Sequence, residues 1–288
     1  MNLQQPTVGL LHPGAMGAAV GRQAALAARV LWLPDGRSTA TADRATAAGL
    51  QPAQDLATLV HDADIVISLC PPQFADQVAT EVLAAGFRRG LFVEANAITP
   101  ERMTSIAEAF TQAGARLVDG SIIGPPPTEP GTTRLYLAGA PEDTATVVNL
   151  FTGSALEAVP ISTQLGAASA LKTAQAVFQK ASRALAGLAH ALADHYGVAD
   201  ALTEEGHRRS PPILAEPDYL PSVAARAWRW SPELAEAAAA LRTAGLPDTM
   251  ILGAKEILDA WSTYRDAPPD EVDVLFTRLR GEGAKLSE

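Results

Sequence analysis

The chain has 288 residues, 48% of them hydrophobic, enough for one large domain or two modest ones, each with a proper core. A formal net charge of −10 with no basic stripe excludes nucleic acid as a partner, and a single cysteine, Cys70, excludes a disulfide framework and any cysteine-based zinc cluster. The five histidines show no metal-ligand spacing, so no metal is expected; with no signal-peptide pattern and no run apolar enough to span a bilayer, the expected setting is the cytoplasm, with no membrane partner.

The first half alternates short β-branched runs with helical stretches. A strand over "TVGLL" leads into a helix from about Ala15 to Ala28, then a strand "RVLWL" and a helical "ATADRATAAGL". Next come the strand "ADIVISLC", the helix "QFADQVATEVLAA", the strand "GLFVEAN" and the helix "TPERMTSIAEAFTQAG". Thr99 supplies an N-cap and Pro100 a first-turn proline to the last of these. Strands "ARLVDGSII" and "TRLYLAG" and a short helix "PEDTATVVNLF" complete the pattern. Strands alternating with helices predict βαβ units and a mostly parallel, doubly wound sheet. From Gln164 the character changes. "QLGAASALKTAQAVFQKASRALAGLAHALADHY" predicts one helix of about 30 residues, ended near Gly197. Beyond it the chain is helical or irregular, with proline-marked breaks at "RRSPPILAEPDYLP" and "GLPDTM". The expected division is an α/β domain over 1–163 and an all-α domain, built around the long helix, over 164–288.

The link from first strand to first helix reads "HPGAMG". A dinucleotide loop needs glycine for a tight turn, for close approach to the pyrophosphate and for helix packing. His12 holds the first of these positions, Gly14 the second and Gly17 the third, so His12 and Pro13 must make the turn. After the second strand come Asp35, Arg37 and Ser38. An acid there suits the ribose hydroxyls of NAD, whereas arginine and serine suit the extra phosphate of NADP. Arg37 and Ser38 favour NADP(H), with NAD the alternative; a solvated turn is the reading without a ligand.

Between Glu157 and Lys180 the one charged residue is Lys172. Its helical neighbours are Ala168, Ser169, Gln175 and Ala176, a small and polar face in place of an ionic one. Such surroundings disfavour the ammonium form, as an acid–base lysine requires. A lysine snorkelling at a domain boundary is the alternative.

Taken together, "VGLLHPGAMGAAVG", "ISLCPP", "VEANAITP", "LVDGSIIGPPP" and "GAASALK" resemble segments of the β-hydroxyacid dehydrogenase family. That family includes 3-hydroxyisobutyrate and 6-phosphogluconate dehydrogenases, with the imine reductases as relatives, and the resemblance covers most of the chain. It implies a Rossmann domain followed by a helical domain through which such enzymes form homodimers. It implies that His12, Pro13, Gly14, Ala15 and Met16 meet the cofactor, as do Leu69, Cys70, Pro71 and Asn96 at the nicotinamide half. It places Ser121, Ile122, Ile123, Gly124 and Gln175 at a small-molecule substrate, and Lys172, Ser121 and Asn96 in catalysis.

The departures are specific. In the family's substrate loop a serine and paired glycines donate to a carboxylate; here Ile123, Gly124 and Pro125 stand there, followed by Pro126 and Pro127. Proline has no N–H and isoleucine no hydroxyl, so the anion cradle is largely gone. One turn beyond the lysine the family has asparagine, but this chain has Ala176, with Gln175 one place earlier. The expected activity is NADPH-dependent hydride transfer to or from the carbonyl or hydroxyl carbon of a rather apolar substrate. An imine reductase is the alternative enzyme, and a protein that senses NADPH without turnover the alternative of another class. His207, Arg208 and Arg209 are expected in a solvated loop, and Tyr219, Trp228 and Trp230 in core or interface packing. His190 lies about 27 Å along the helix from Lys172, too far to share its site within one subunit.

Overall fold

The structure, a computed structural model, describes residues 5–195, 197–209, 217–265, 267, 269 and 271–281. The chain divides into two compact units, residues 1–172 and 173–288. The first opens with β1 (Thr7–Leu11), α1 (Ala15–Ala24), β2 (Arg29–Trp32), α2 (Thr39–Ala47), β3 (Gln51–Pro52), α3 (Leu56–Asp62) and β4 (Ile65–Ser68). It continues through α4 (Ala75–Ala84), β5 (Leu91–Glu94), α5 (Pro100–Gln112), β6 (Arg116–Ile123), β7 (Thr133–Ala138), α6 (Pro141–Phe151) and β8 (Leu156–Ser162). The long helix α7 (Ala167–His195) begins in this unit and continues into the second.

The eight strands form one sheet in the order β3-β2-β1-β4-β5-β6-β7-β8, and every neighbouring pair is parallel except β6 and β7. Successive side chains point to opposite faces, and both faces are buried, as a parallel sheet requires. Ile65, Ile67, Leu91 and Val93 pack with Val20 of α1, Ala45 of α2 and Leu150 of α6. The intervening Val66 and Phe92 pack with Leu59 of α3, Val78 of α4 and Phe110 of α5. Phe92 stacks on Phe110 with centroids 4.4 Å apart. Burying one such side chain stabilises the fold by about 1.5–3 kcal/mol, so the alternating apolar runs fix the register.

Three elements of this unit have weak sequence signals. β3 is two residues long at the sheet edge, and β8 is an edge strand containing Pro160, where a missing N–H is tolerated. The short α3 is N-capped by Asp55, which accepts from the Thr58 N–H at 2.7 Å.

The second unit carries most of α7 together with α8 (Ala199–Arg209), α9 (Leu220–Thr243), α10 (Thr249–Trp261) and α11 (Val272–Leu279). Its core joins Ala181 and Ala184 of α7 to Val223, Leu234, Leu258 and Trp261. The Trp261 indole N–H donates to the Leu275 carbonyl at 3.1 Å. Gly187 makes room for that ring, since a β-carbon there would lie 2.6 Å from it. Lys180, only 4% exposed, pairs with Glu233 at 2.7 Å and lies 5.7 Å from the Trp230 ring centroid. Arg265 covers Trp228 at 4.0 Å, so both tryptophans have packing partners inside this unit. Tyr219 is half-buried, and burial pushes its phenol up to about 12.

One expectation needs correction here. His207, Arg208 and Arg209 lie in the last turn of α8, not in a loop, because residues 199–209 keep an unbroken helical ladder ahead of the proline-rich break. Arg208 pairs with Glu204 one turn back. The break itself, residues 210–216, lies outside the described residues. His190 is buried, with its ring parallel to Phe276 at 6.4 Å. Among the described residues no helix is long and apolar enough to cross a membrane.

Candidate active site

The strand order reverses at β1, with β2 on one side and β4 on the other, and in an open α/β sheet ligands bind outside the carboxyl ends of the strands at that point. There β1 hands over to α1 through His12, Pro13 and Gly14. His12 takes φ 69°, the conformation a glycine would supply, and its carbonyl accepts from the Gly14 N–H at 2.8 Å across Pro13. A β-carbon on Gly17 would collide with that same carbonyl oxygen, so the tight passage of α1 under the turn demands glycine. Gly14 is different. Its backbone (φ −65°) suits any residue and a β-carbon there meets nothing within 4 Å. It caps α1 without a side-chain acceptor, and the first turn holds no acidic residue. The N–H groups of Ala15, Met16 and Gly17 therefore face an uncapped helix start and open space, the arrangement that receives a phosphate anion. The residues present fit a dinucleotide pyrophosphate.

At the end of β2, residues 34–37 form a turn closed by the Arg37 N–H on the Pro34 carbonyl at 3.1 Å, and Arg37 is exposed. Ser38 N-caps α2, its Oγ accepting from the Thr41 N–H at 3.3 Å and lying 3.1 Å from Thr41 Oγ1. Arg44 donates to the same Thr41 hydroxyl at 2.9 Å, which holds a second guanidinium at the first turn of α2.

A row of polar groups crosses the sheet at the strand ends. Ser68 of β4 is in register with Glu94 of β5, and Glu94 with Asp119 of β6. All are buried: Ser68 at 0%, Glu94 at 1% and Asp119 at 0%. Asn96 ties the first two ends together. Its Nδ2 donates to Ser68 Oγ at 2.9 Å, its Oδ1 accepts from the Cys70 N–H at 2.6 Å, and its own N–H reaches Glu94 Oε1 at 3.0 Å. The segment Leu69, Cys70 and Pro71 is thereby held in place. Burial, aided by the Glu94 charge, pushes the Cys70 thiol up to about 12, so it is no thiolate nucleophile. Burial likewise pushes Glu94 up to about 8, and its Oε2 has no hydrogen-bond partner.

Asp119 anchors the long helix. It accepts from the N–H groups of Ala168 (2.9 Å) and Ser169 (3.2 Å) and from Ser169 Oγ (2.7 Å), satisfying donors that helix geometry leaves open. Its carboxyl is still held above the usual range by burial, which outweighs those bonds. One turn further on, Lys172 donates from Nζ to the carbonyl of Ile122, again on β6, at 2.8 Å. One strand thus fixes the helix start and the lysine together. Ser121 is buried beside Ile122 with its Oγ unpartnered. Beyond Ile123, Gly124 turns at φ 132°, Thr133 Oγ1 donates to the Pro125 carbonyl at 2.6 Å, and Gln23 Nε2 donates to the Pro127 carbonyl at 3.1 Å. Gln23 also accepts from the Ala155 N–H at 2.9 Å. The loop over Pro125, Pro126 and Pro127 offers no backbone donor, and two of its carbonyls are already occupied. Gln175 lies three residues beyond Lys172 on α7, its Oε1 buried and unpartnered. Among the described residues no group of three His, Cys, Asp or Glu side chains converges to hold a metal.

The family profile described as the NAD binding domain of 6-phosphogluconate dehydrogenase matches residues 7–161, more than half the chain. The chain belongs to this family. As a member it is an NAD(P)-dependent dehydrogenase or reductase. A second profile, described as a domain of unknown function (DUF1932), matches residues 193–261. Among solved structures, 3-hydroxyisobutyrate dehydrogenase from Mycobacterium tuberculosis is 17% identical with a TM-score of 0.76, covering 96% of this chain and 100% of its own. A conserved hypothetical protein from Sinorhizobium meliloti is 21% identical with a TM-score of 0.70, covering 96% and 97%. A reductive aminase from Aspergillus terreus, solved with NADPH and ethyl levulinate, is 19% identical with a TM-score of 0.60, covering 96% and 100%. These likenesses establish the shared fold. No curated protein matches.

In this member of the NAD-binding-domain family, the sequence did not point to Glu94, Asp119 or Gln23. An acid at the end of an apolar strand, as in "FVEAN", or within one, as in "LVDGSII", is the only signal the sequence carried for the first two. Gln23 carried none, because its partners lie more than a hundred residues along the chain.

Proposed function

We propose that the chain is an NADPH-dependent oxidoreductase acting on the carbonyl or hydroxyl carbon of a small, rather apolar substrate, with Lys172 as general acid and base. The observation that carries this reading is Lys172 Nζ, held 2.8 Å from the Ile122 carbonyl on the strand that also leads into the proline loop. The N–H groups of the α1 start receive the pyrophosphate, and Arg37, with Arg44 behind it, takes the 2′-phosphate that distinguishes NADPH. A bound nicotinamide supplies or accepts the hydride. Asn96, its amide committed to Ser68 and Cys70, acts by holding the Cys70 and Pro71 segment against that ring. Lys172 gives a proton to the substrate oxygen during reduction and takes it back during oxidation. Ser121 offers a buried hydroxyl without a partner, and Ile122, Ile123 and Gly124 shape an apolar wall. With the loop donors gone, substrate is selected by shape more than by a carboxylate.

The same loss of donors favours one second reading, an imine reductase, because a C=N substrate needs no carboxylate cradle. We also propose a homodimer through the helical domain. Leu171, Ala174, Phe178 and Leu185 leave an exposed apolar stripe along α7, with Phe178 at 73% exposure, and a second copy of the stripe would cover it.

Lys172→Ala tests the assignment. NADPH affinity stays near wild type while turnover falls by about 10²–10⁴, read by following oxidation of the reduced nicotinamide with a panel of ketones, hydroxyacids and cyclic imines. Unchanged turnover removes the lysine from the mechanism, and the substrate that responds separates ketone from imine chemistry.

A further inference from the structure

Glu94 is buried at the end of β5, and its two oxygens are treated unequally. Oε1 accepts the Asn96 N–H at 3.0 Å, while Oε2 is buried with no hydrogen-bond partner among the described residues. Its neighbour in register on β6, Asp119, is buried as deeply but accepts from the Ala168 N–H, the Ser169 N–H and the Ser169 hydroxyl. Two neighbouring carboxylates in an apolar setting do not both carry charge cheaply, and the one with fewer donors keeps the proton. The donors therefore put that proton on Glu94. Its carboxyl is accordingly pushed up to about 8, by burial first and more weakly by the Asp119 charge.

The titratable groups that act on Glu94 are Asp119 from β6 and the half-buried Cys70 thiol from the segment after β4. On the helices over this face the other charges are committed or turned outward. Arg102 of α5 binds Asp76 and the Pro72 carbonyl, and Lys172 of α7 donates to the Ile122 carbonyl. Glu101 and Glu108 of α5, Asp76 and Glu81 of α4, and His61 and Asp62 of α3 are exposed. The one side chain that Glu94 touches through a printed bond is the hub of the strand ends: Asn96 also holds Ser68 Oγ at 2.9 Å and the Cys70 N–H at 2.6 Å. A charge on Glu94 would leave Oε2 ionised, buried and without a donor, beside a second carboxylate. Water must then enter, or the end of β5 must move and take Asn96 with it.

We propose that Glu94 is a positioning residue, a protonated latch that holds the Leu69, Cys70 and Pro71 segment through Asn96, and that its ionisation releases this segment. The consequence for turnover rests on the reading given above, in which that segment lies against the nicotinamide; the latch itself does not.

Cys70 is the only cysteine of the chain, so its modification by methyl methanethiosulfonate, an uncharged reagent, reports on the segment without any ligand. A thiol reacts as its thiolate, so the rate rises about tenfold per pH unit below the thiol pKa. Wild type follows that slope to about pH 7 and exceeds it about fivefold by pH 9 as the segment opens locally, while its far-ultraviolet spectrum holds. Glu94→Gln keeps an acceptor for the Asn96 N–H and has no proton to lose, so it stays on the slope. Glu94→Ala lacks the acceptor and reacts faster than wild type already at pH 6. Ionisation without release has the opposite sign, because a charge on Glu94 disfavours the Cys70 thiolate and flattens the slope. A flattened or unbroken slope in wild type overturns the proposal. So does an excess that persists in Glu94→Gln, or one that appears only as the far-ultraviolet signal is lost. In turnover, wild type falls relative to Glu94→Gln over the same pH range with NADPH affinity retained, and a constant ratio removes the latch from the reaction. If wild-type protein binds no NADPH, the dinucleotide reading fails, and the thiol rates still decide the latch.

Discussion

Glu94 shows how far one side chain can depart from its ordinary chemistry. Its carboxyl is buried among Ser68, Asn96, Cys70 and Asp119, and burial holds it at about 8 where the ordinary value is 4.5. The native state therefore keeps a proton that the unfolded chain gives up above pH 4.5. Stability owed to this group is full below that pH and is lost as pH rises toward 8, where the folded group also ionises. Glu94→Gln keeps the Asn96 contact without the proton. Relative to wild type, its melting temperature rises progressively between pH 5 and 8, by an amount corresponding to ~1–4 kcal/mol at the upper end. A constant difference across that range shows that Glu94 is already charged in the fold. The sequence displayed this residue only as the end of an apolar strand, because nothing local reveals how fully its carboxyl is buried.

At the scale of elements, β6 and α7 form one functional part. Asp119 satisfies the first N–H groups of α7, and the Ile122 carbonyl three residues later receives Lys172. Asp119→Ala leaves those donors buried without an acceptor and destabilises the protein by about 1–3 kcal/mol. It also lets the first turn of the helix shift, so turnover falls while NADPH affinity, set at α1, is retained. Equal loss of affinity and turnover shows that the damage is general. Lys172 was legible from its charge-free helix. Its partner was not, since a carbonyl carries no sequence signature and Asp119 reads as an ordinary strand residue some fifty positions away. The glycine loop was legible in outline, including that His12 and Pro13 must make the turn; that His12 does so at a positive φ was not, because such φ values are ordinarily glycine's.

For the whole molecule, the βαβ alternation made the sheet readable through β7, since each strand is an apolar run and each long helix begins with a recognisable signal. The edges were not readable: β3 is too short and β8 too exposed to show a pattern. In the second unit small alanine-rich faces replace large apolar stripes, so helices could be expected there without being delimited. The exposed stripe on α7 is the feature of that unit with a consequence for assembly. Phe178→Glu places a charge at its most exposed member and converts the proposed homodimer to monomer in sedimentation equilibrium, with little change in the far-ultraviolet spectrum. A wild-type protein that sediments as a monomer removes the dimer from the proposal.

Gln23 sits inside the helix whose start is proposed to receive phosphate, yet its amide grips the Pro127 carbonyl on one side and the Ala155 N–H on the other. In mechanical terms it is a cross-brace between the nucleotide helix and the loop beside the lysine. With φ fixed at three successive prolines, the Pro127 carbonyl held by that amide and the Pro125 carbonyl held by Thr133, the loop after Ile123 is set before any ligand arrives. If substrate is selected by shape, as proposed, the caliper is set by a residue buried away from the loop's outer face.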